Sequence, residues 1–366
     1  MKSKLLLLLM STLLMVNVGY SQSKNDKAKT KKEKRLSARD ISDSVFMSKP
    51  YPFILPVLGD KAHDRGYRFP LPFGVMFNSI SIDQKMMIDN MRIGFGNTES
   101  GAEPVMYDID GIVAFNPVEA QTVSRNVRVD VWPFPFLNVY GIYGKMKKSD
   151  INIEMTAPFP LKVTTDIAGH YFGYGAMLNG KIGPVFVSLD ANKNVNHNPR
   201  LDKPVAITLV SLRSGPIFSI NRNPNMKIMF WTGLMHSHFN AATNGSISTK
   251  DLAPNASSHI ANMQTDMDNW YSGLKPLDRA KYAILYNTLS NGLTALDESL
   301  ETSYIKYKMD KTVDRPWNML MGIQWQINQN WQMRTEAQIL GDRSAWLFSF
   351  NYRFGINGKT WFSKGE

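Results

Sequence analysis

The chain contains no cysteine in its 366 residues. This absence excludes an acylated-cysteine lipid anchor, structural disulfides, cysteine-ligated zinc and thiol catalysis. The chain also lacks a long apolar run beyond its N-terminal stretch, whereas a spanning helix needs roughly 20 consecutive apolar residues. Any insertion of this protein into a membrane must therefore use strands.

The N-terminal stretch has the composition of a secretory leader. Lys2 and Lys4 precede an apolar run that extends from Leu5 to Val18. A short apolar run behind a positively charged end is typical of a signal peptide rather than of a spanning helix. We predict that residues 1–21 are a signal peptide, cleaved before Gln22.

The net charge of +11 is concentrated near the N-terminus. Residues 23–40 hold eight basic and three acidic side chains and almost no large apolar ones. Such a block cannot bury a core, so residues 22–45 are predicted to form a basic disordered arm. No nucleic-acid-binding motif follows the arm, and nucleic acid is not an expected partner. Residues 46–366 are predicted to form one β-barrel domain.

Three stretches between Trp317 and Phe354 alternate between apolar and polar side chains. A period of two places successive side chains on opposite faces of a sheet. The same alternation occurs in Asn126–Trp132. The polar faces of these strands are predicted to line a lumen with Arg128, Asp130, Gln324, Gln326, Arg334, Glu336 and Arg353.

Aromatic residues near the strand ends favour a membrane barrel over a soluble sandwich, which would also alternate. Trp325, Trp331, Trp346 and Tyr352 lie where interfacial girdles are expected. The mixed-sign charges on the polar faces could pair across a narrow lumen. We therefore predict an all-β fold, an antiparallel transmembrane β-barrel of about 10–14 strands in an outer membrane. Its first strands are predicted near residues 73–80 and 86–96.

One region has helical spacing instead. Between residues 265 and 296, apolar side chains recur at three- and four-residue steps, and Pro276 can begin the second helical portion. Counting strands forward from the turn at 221–225 puts the following long segment outside the cell. Counting back from the last strand, with residues 302–309 included as a wall strand, puts it in the periplasm. Both counts hold if the segment crosses the lumen, so we hypothesise that it plugs or caps the barrel, with a periplasmic appendage as the alternative.

Two stretches resemble a known group of proteins. They are RVDVWPFPFLNVYGIYGKM (residues 128–146) and PWNMLMGIQWQINQNWQMRTEAQILGDRSAWLFSFNYRFG (residues 316–355). Together with the intervening helix they are similar to uncharacterised outer-membrane β-barrel proteins of Gram-negative bacteria, whose last strand also ends in an aromatic-Arg-Phe sequence. The chain departs from that pattern in having 12 residues after Phe354. The resemblance implies a fold and a location, but no activity.

Candidate chemical groups are few. His236 and His238 have a spacing that could chelate a metal, although no third ligand is evident. Ser237 and His238 could serve an outer-membrane lipid-modifying hydrolase, which is the alternative function. The sequence favours a porin-like pore, transport or envelope-structural role with a filled or plugged lumen. We expect no cofactor, and as partners the outer-membrane lipid, the barrel-assembly machinery and a small solute.

Overall fold

A computed structural model describes residues 44–45, 48–109, 113–157, 161–166, 169–198, 204–220, 223–240, 242–249, 256–299 and 301–358. The predicted signal peptide and most of the predicted basic arm lie outside these residues. The strands of the described part are β1 (Phe73–Asn97), β2 (Tyr107–Asp108), β3 (Ala114–Phe115), β4 (Val118–Phe134), β5 (Leu137–Ala157), β6 (Leu161–Asp166), β7 (Gly169–Ile182), β8 (Val185–His197), β9 (Val205–Ile220), β10 (Asn223–Phe239), β11 (Ala242–Ser248), β12 (Ser303–Thr312), β13 (Trp317–Gln326), β14 (Trp331–Ile339) and β15 (Arg343–Phe354). The helices are α1 (Gly59–Asp64), α2 (Ala256–Gly273) and α3 (Pro276–Glu298).

The sheet closes on itself as an antiparallel barrel of 10 strands. The wall runs in the order β1, β4, β5, β7, β8, β9, β10, β13, β14 and β15. The last strand then returns to the first, because Phe354 pairs with Phe73 and Arg343 pairs with Gln84. Closure satisfies the hydrogen-bonding groups of every wall strand, as a lipid environment requires. The all-β barrel prediction is confirmed.

The two ends of the barrel differ in the length of their connections. At one end lie the start of β1, the end of β15 and the connections β4–β5, β7–β8, β9–β10 and β13–β14, none longer than four residues. At the other end lies the long segment 240–316 between β10 and β13. In bacterial barrels the short turns face the periplasm and the long loops face outward. The helical segment is therefore on the extracellular side.

β1 is one strand of 25 residues, where the sequence predicted two. Its first half belongs to the barrel wall. Its second half, which we call outer β1, continues beyond the extracellular end of the wall and pairs with β12, which also pairs with β11. The alternation is interrupted in the middle of β1. Ser81 and Asp83 are polar but lie at outward-facing positions, where the pattern expects apolar side chains. We call the sheet of β11, β12 and outer β1 the extracellular extension.

The position of β12 corrects the topology derived from the sequence. β12 is not a strand of the barrel wall. The two strand counts disagree on the side of the membrane only because the backward count includes β12 in the wall. The segment after β10 returns to β13 at the same end of the barrel, where His236 pairs directly with Trp317. No crossing of the lumen is needed, and the premise of the crossing plug is wrong.

The helices pack on the extracellular extension. Leu293 and Leu296 of α3 form a buried cluster with Ile260 and Met267 of α2, and Phe95 of β1 packs against it. The first of these two helices, α2, begins at Ala256, whereas the sequence predicted helix from residue 265. Pro276 occupies the first turn of α3 as predicted. Among the described residues, no helix is both long enough and apolar enough to span a membrane.

The barrel wall carries apolar side chains outside and polar side chains inside. Large exposed apolar residues cover the outer face of the wall strands, for example Phe77, Tyr174, Leu234, Trp325 and Phe348. The inner face is buried and mainly polar. This distribution reverses that of a soluble protein and matches a wall surrounded by lipid.

Inward-pointing glycines make room for inward-pointing rings. A side chain at Gly322 would lie 2.3 Å from the ring of Trp231, and one at Gly175 would lie 2.6 Å from the ring of Tyr140. Each ring therefore lies across the glycine of a neighbouring strand, which lets a large aromatic side chain fit inside a small barrel.

Candidate functional site in the barrel interior

The candidate site is a group of charged and polar side chains in the periplasmic half of the barrel. We call it the interior network, and it consists of Arg128, Asp130, Asn138, Tyr140, Asp190, Arg213, Trp231, Arg334, Glu336 and Arg353. Strand alternation places these side chains on the inner face, because their sequence neighbours Val127, Val129, Leu189 and Leu212 are exposed on the outer face.

One part of the network surrounds Asp130. Its Oδ1 accepts hydrogen bonds from Arg353 at 2.9 Å and from the Asn138 amide at 2.7 Å. Arg128 donates to Asn138 Oδ1 at 2.6 Å. A side chain at Gly74 would lie 2.6 Å from Asp130 Oδ2, so glycine at this position leaves space for the pair. Asp130 and Arg353 are held on strands that are separated by β1.

The other part surrounds Glu336. Its carboxylate accepts hydrogen bonds from Arg213 at 2.8 and 3.1 Å, from Arg334 at 2.6 Å and from Trp231 Nε1 at 2.9 Å. Glu336 is only 2% exposed. Two guanidinium groups and an indole N–H thus satisfy a carboxylate that would be costly to bury alone.

Tyr140 and Asp190 join the two parts. The Tyr140 hydroxyl donates to Asp190 Oδ1 at 2.6 Å, and Arg213 lies 3.5 Å from Asp190 Oδ2. The guanidinium of Arg128 lies 3.6 Å from the centre of the Tyr140 ring. The network therefore continues around the barrel as one set of contacts.

The contact between Arg213 and Glu336 crosses the barrel interior. Arg213 is on β9 and Glu336 is on β14, with β10 and β13 between them in the wall. Side chains on strands that are not neighbours can meet only across the space that the wall encloses. The periplasmic half of the interior is consequently bridged by side chains.

The interior carries more positive than negative charge. Among the described residues, five inward arginines (Arg128, Arg213, Arg334, Arg343 and Arg353) accompany three inward carboxylates (Asp130, Asp190 and Glu336). Arg343 donates to Gln338 at 2.9 Å and makes no ion pair within the described part of the chain. The nitrogen Nε of both Arg128 and Arg334 has no hydrogen-bond partner among the described residues. These groups retain the capacity to bind water or a solute.

The structure brings five of the seven predicted lumen residues into the network. Gln324 and Gln326 are half-buried and take no part in it, and Gln326 donates instead to the Asn225 carbonyl at 3.2 Å. The sequence missed Asn138, Tyr140, Asp190, Arg213 and Trp231. Asp190 could have been found, since it alternates with Val187 and Leu189. Trp231 could not be found, because nothing in its local sequence distinguishes an inward tryptophan from one that faces lipid.

The two histidines and the serine of the alternative function do not converge. His236 lies on the outer face against Trp317, with ring centres 4.8 Å apart. Ser237 is buried on the inner face and donates to the Pro316 carbonyl at 3.3 Å, while the exposed His238 is on the outer face. Within the described residues, no cluster of three or more histidine or acidic side chains could hold a metal ion.

A closed antiparallel barrel with an apolar outer surface and a polar interior defines the class of this protein. It is an outer-membrane β-barrel protein, and its location is the outer membrane. No protein-family model and no curated protein sequence matches the chain.

Comparison with solved structures finds outer-membrane proteins at low sequence identity and low TM-score. The β-domain of the Bordetella autotransporter BrkA is 8% identical, with a TM-score of 0.35, over 77% of this chain and 100% of the other. OprG of Pseudomonas aeruginosa, an outer-membrane protein, is 10% identical, with a TM-score of 0.35, over 79% and 98%. The COG4313 outer-membrane channel of Pseudomonas putida F1 is 7% identical, with a TM-score of 0.25, over 78% and 97%.

Proposed function

We propose that the protein is a transport barrel whose passage is closed in its resting state by the interior network. The observation that carries this proposal is the cross-barrel ion pair between Arg213 and Glu336. A barrel with a purely structural role could fill its interior with apolar side chains, which pack at lower cost than buried ion pairs. Charged side chains that bridge the interior form a barrier instead. Ions or small polar solutes can pass this barrier by replacing the contacts between the side chains.

Trp231 is the side chain best placed to test the barrier. Its ring is buried in the interior, lies across Gly322 and holds Glu336 through its N–H. The guanidinium of Arg334 lies 5.0 Å from the ring centre, so the indole also supports the arginine. Removing the ring enlarges the interior without changing its charge.

The experiment is conductance in planar bilayers of the purified full-length protein and of Trp231→Ala. We expect a small conductance for the natural protein and a several-fold larger one for Trp231→Ala. The matched control is Trp346→Ala, since Trp346 is a tryptophan of the same wall that is 65% exposed on the outer face. The control should conduct like the natural protein.

If Trp231→Ala assembles as a heat-modifiable barrel and conducts no better than Trp346→Ala, the network is not a barrier in a passage. A closed, envelope-structural barrel would then explain the structure better.

A further inference from the structure

A row of basic side chains crosses four neighbouring strands on the outer face of the barrel. Arg125 of β4 pairs directly with Lys145 of β5, Lys145 pairs with His170 of β7, and His170 pairs with His197 of β8. All four side chains are exposed. We call these four residues the basic row.

The basic row faces the membrane side of the wall and not the interior. Arg125 lies between Val123 and Val127, which are 40% and 41% exposed on the outer face. Tyr143, two residues before Lys145, and Phe172, two residues after His170, are also outward and exposed, with ring centres 4.9 Å apart. The four basic residues thus continue the outer surface that carries the apolar belt.

The row lies at the extracellular edge of that belt. Tyr143 and Phe172 are direct cross-strand partners one step closer to the periplasmic turns. Aromatic side chains mark the boundary between the hydrocarbon region and the head groups. Basic side chains just beyond such a boundary lie at the level of the outer-leaflet head groups.

Nothing within the described part of the chain neutralises the row. None of its four residues makes an ion pair with a described carboxylate, and the rings of His170 and His197 stack on each other with centres 5.9 Å apart. Basic groups opposite one another on adjacent strands oppose pairing rather than support it. Their arrangement is therefore better explained by a bound anion than by stability of the sheet.

We propose that the basic row binds the phosphate groups of an anionic outer-leaflet lipid. Three strand spacings of about 4.8 Å make the row roughly 14 Å long, so a single phosphate cannot contact all four side chains. The dimension suits a lipid whose head group carries two phosphates on a sugar. Arg125 and Lys145 provide permanent positive charge, and the two imidazoles can donate N–H groups to phosphate oxygens.

The test uses lipid A, which carries two phosphates on a glucosamine disaccharide, and its dephosphorylated form as probes. Binding to the detergent-solubilised full-length barrel is measured by native mass spectrometry at increasing lipid concentration. The variant is Arg125→Ser with Lys145→Ser. The matched control is Lys85→Ser, because Lys85 is an exposed lysine of β1 that already pairs with Glu119 at 3.2 Å.

We expect the double variant to bind lipid A at least tenfold more weakly while the control binds like the natural protein. The dephosphorylated lipid should bind the natural protein as weakly as lipid A binds the double variant. Two results would overturn the proposal: equal binding of both lipids to the natural protein, or equal loss in the control and the double variant. Heat-modifiable mobility of each variant confirms that the barrel has folded.

Discussion

Glu336 is the residue whose loss should destabilise the barrel most. Its carboxylate is 2% exposed and accepts hydrogen bonds from Arg213, Arg334 and Trp231. Glu336→Gln keeps the volume of the side chain but leaves the buried Arg334 guanidinium without its counter-ion, and Arg213 with only the Asp190 carboxylate at 3.5 Å. Breaking a buried ion pair by removing one partner costs about 3–5 kcal/mol, because the remaining charge is uncompensated.

The measurement is urea unfolding of the barrel in phospholipid vesicles, followed by tryptophan fluorescence. The matched control is Glu119→Gln, since Glu119 is a glutamate whose side chain is 52% exposed and pairs with Lys85. Exposed pairs contribute about 0–1 kcal/mol, so the control should unfold nearly like the natural protein.

A double variant separates charge from packing. Adding Arg334→Met to Glu336→Gln removes the guanidinium that has lost its counter-ion, and the double variant should be more stable than Glu336→Gln alone by at least about 1 kcal/mol. If Glu336→Gln and Glu119→Gln lose equal stability, or if the second substitution brings no recovery, the interior is too well hydrated for this reasoning to hold.

Three further predictions concern other parts of the molecule. Gly322→Val should displace the Trp231 ring, which an added carbon would approach to 2.3 Å, and should raise conductance, as is also expected for Trp231→Ala. Replacing residues 251–301 by an Asn-Gly turn should leave assembly and conductance unchanged, because Ser248 and Tyr304 are already direct partners in the extracellular extension. An increased conductance would show that the helices obstruct the passage. Burial lowers the pKa of Lys311 in β12, so the folded extension holds fewer protons than the unfolded chain and gains stability as pH rises toward the ordinary lysine pKa. Lys311→Met should increase the protease resistance of the extracellular extension at neutral pH. In this variant the protease resistance should no longer increase as the solution becomes alkaline.

Strand alternation was enough to predict the wall of the barrel. Residues such as Val129 and Asp130 differ so strongly in polarity that their opposite faces follow from the period of two. The class, the closed sheet and most of the charged interior residues could therefore be derived from the sequence.

Two features could not be derived because they depend on distant partners. The alternation of β12 is like that of a wall strand, and only its pairing with outer β1 shows that it belongs to the extracellular extension. Trp231 has the same side chain as Trp346, yet one faces inward and the other outward. What distinguishes them is the inward Gly322 on the neighbouring strand, a relation between residues 91 positions apart.

The pairing of β1 with β15 has a consequence for biogenesis. β1 is the first wall strand to be synthesised, but β15, with which it closes the barrel, is the last. Phe73 therefore cannot pair with Phe354 until the whole wall has been synthesised. Until then both β1 and β14 present unpaired backbone edges, which are templates for aggregation in an aqueous compartment. Contacts of such high sequence separation also form slowly. A chain truncated before Arg343 would retain nine of its wall strands yet have no closed state to reach, so it should depend on periplasmic holdases and be degraded instead of inserted.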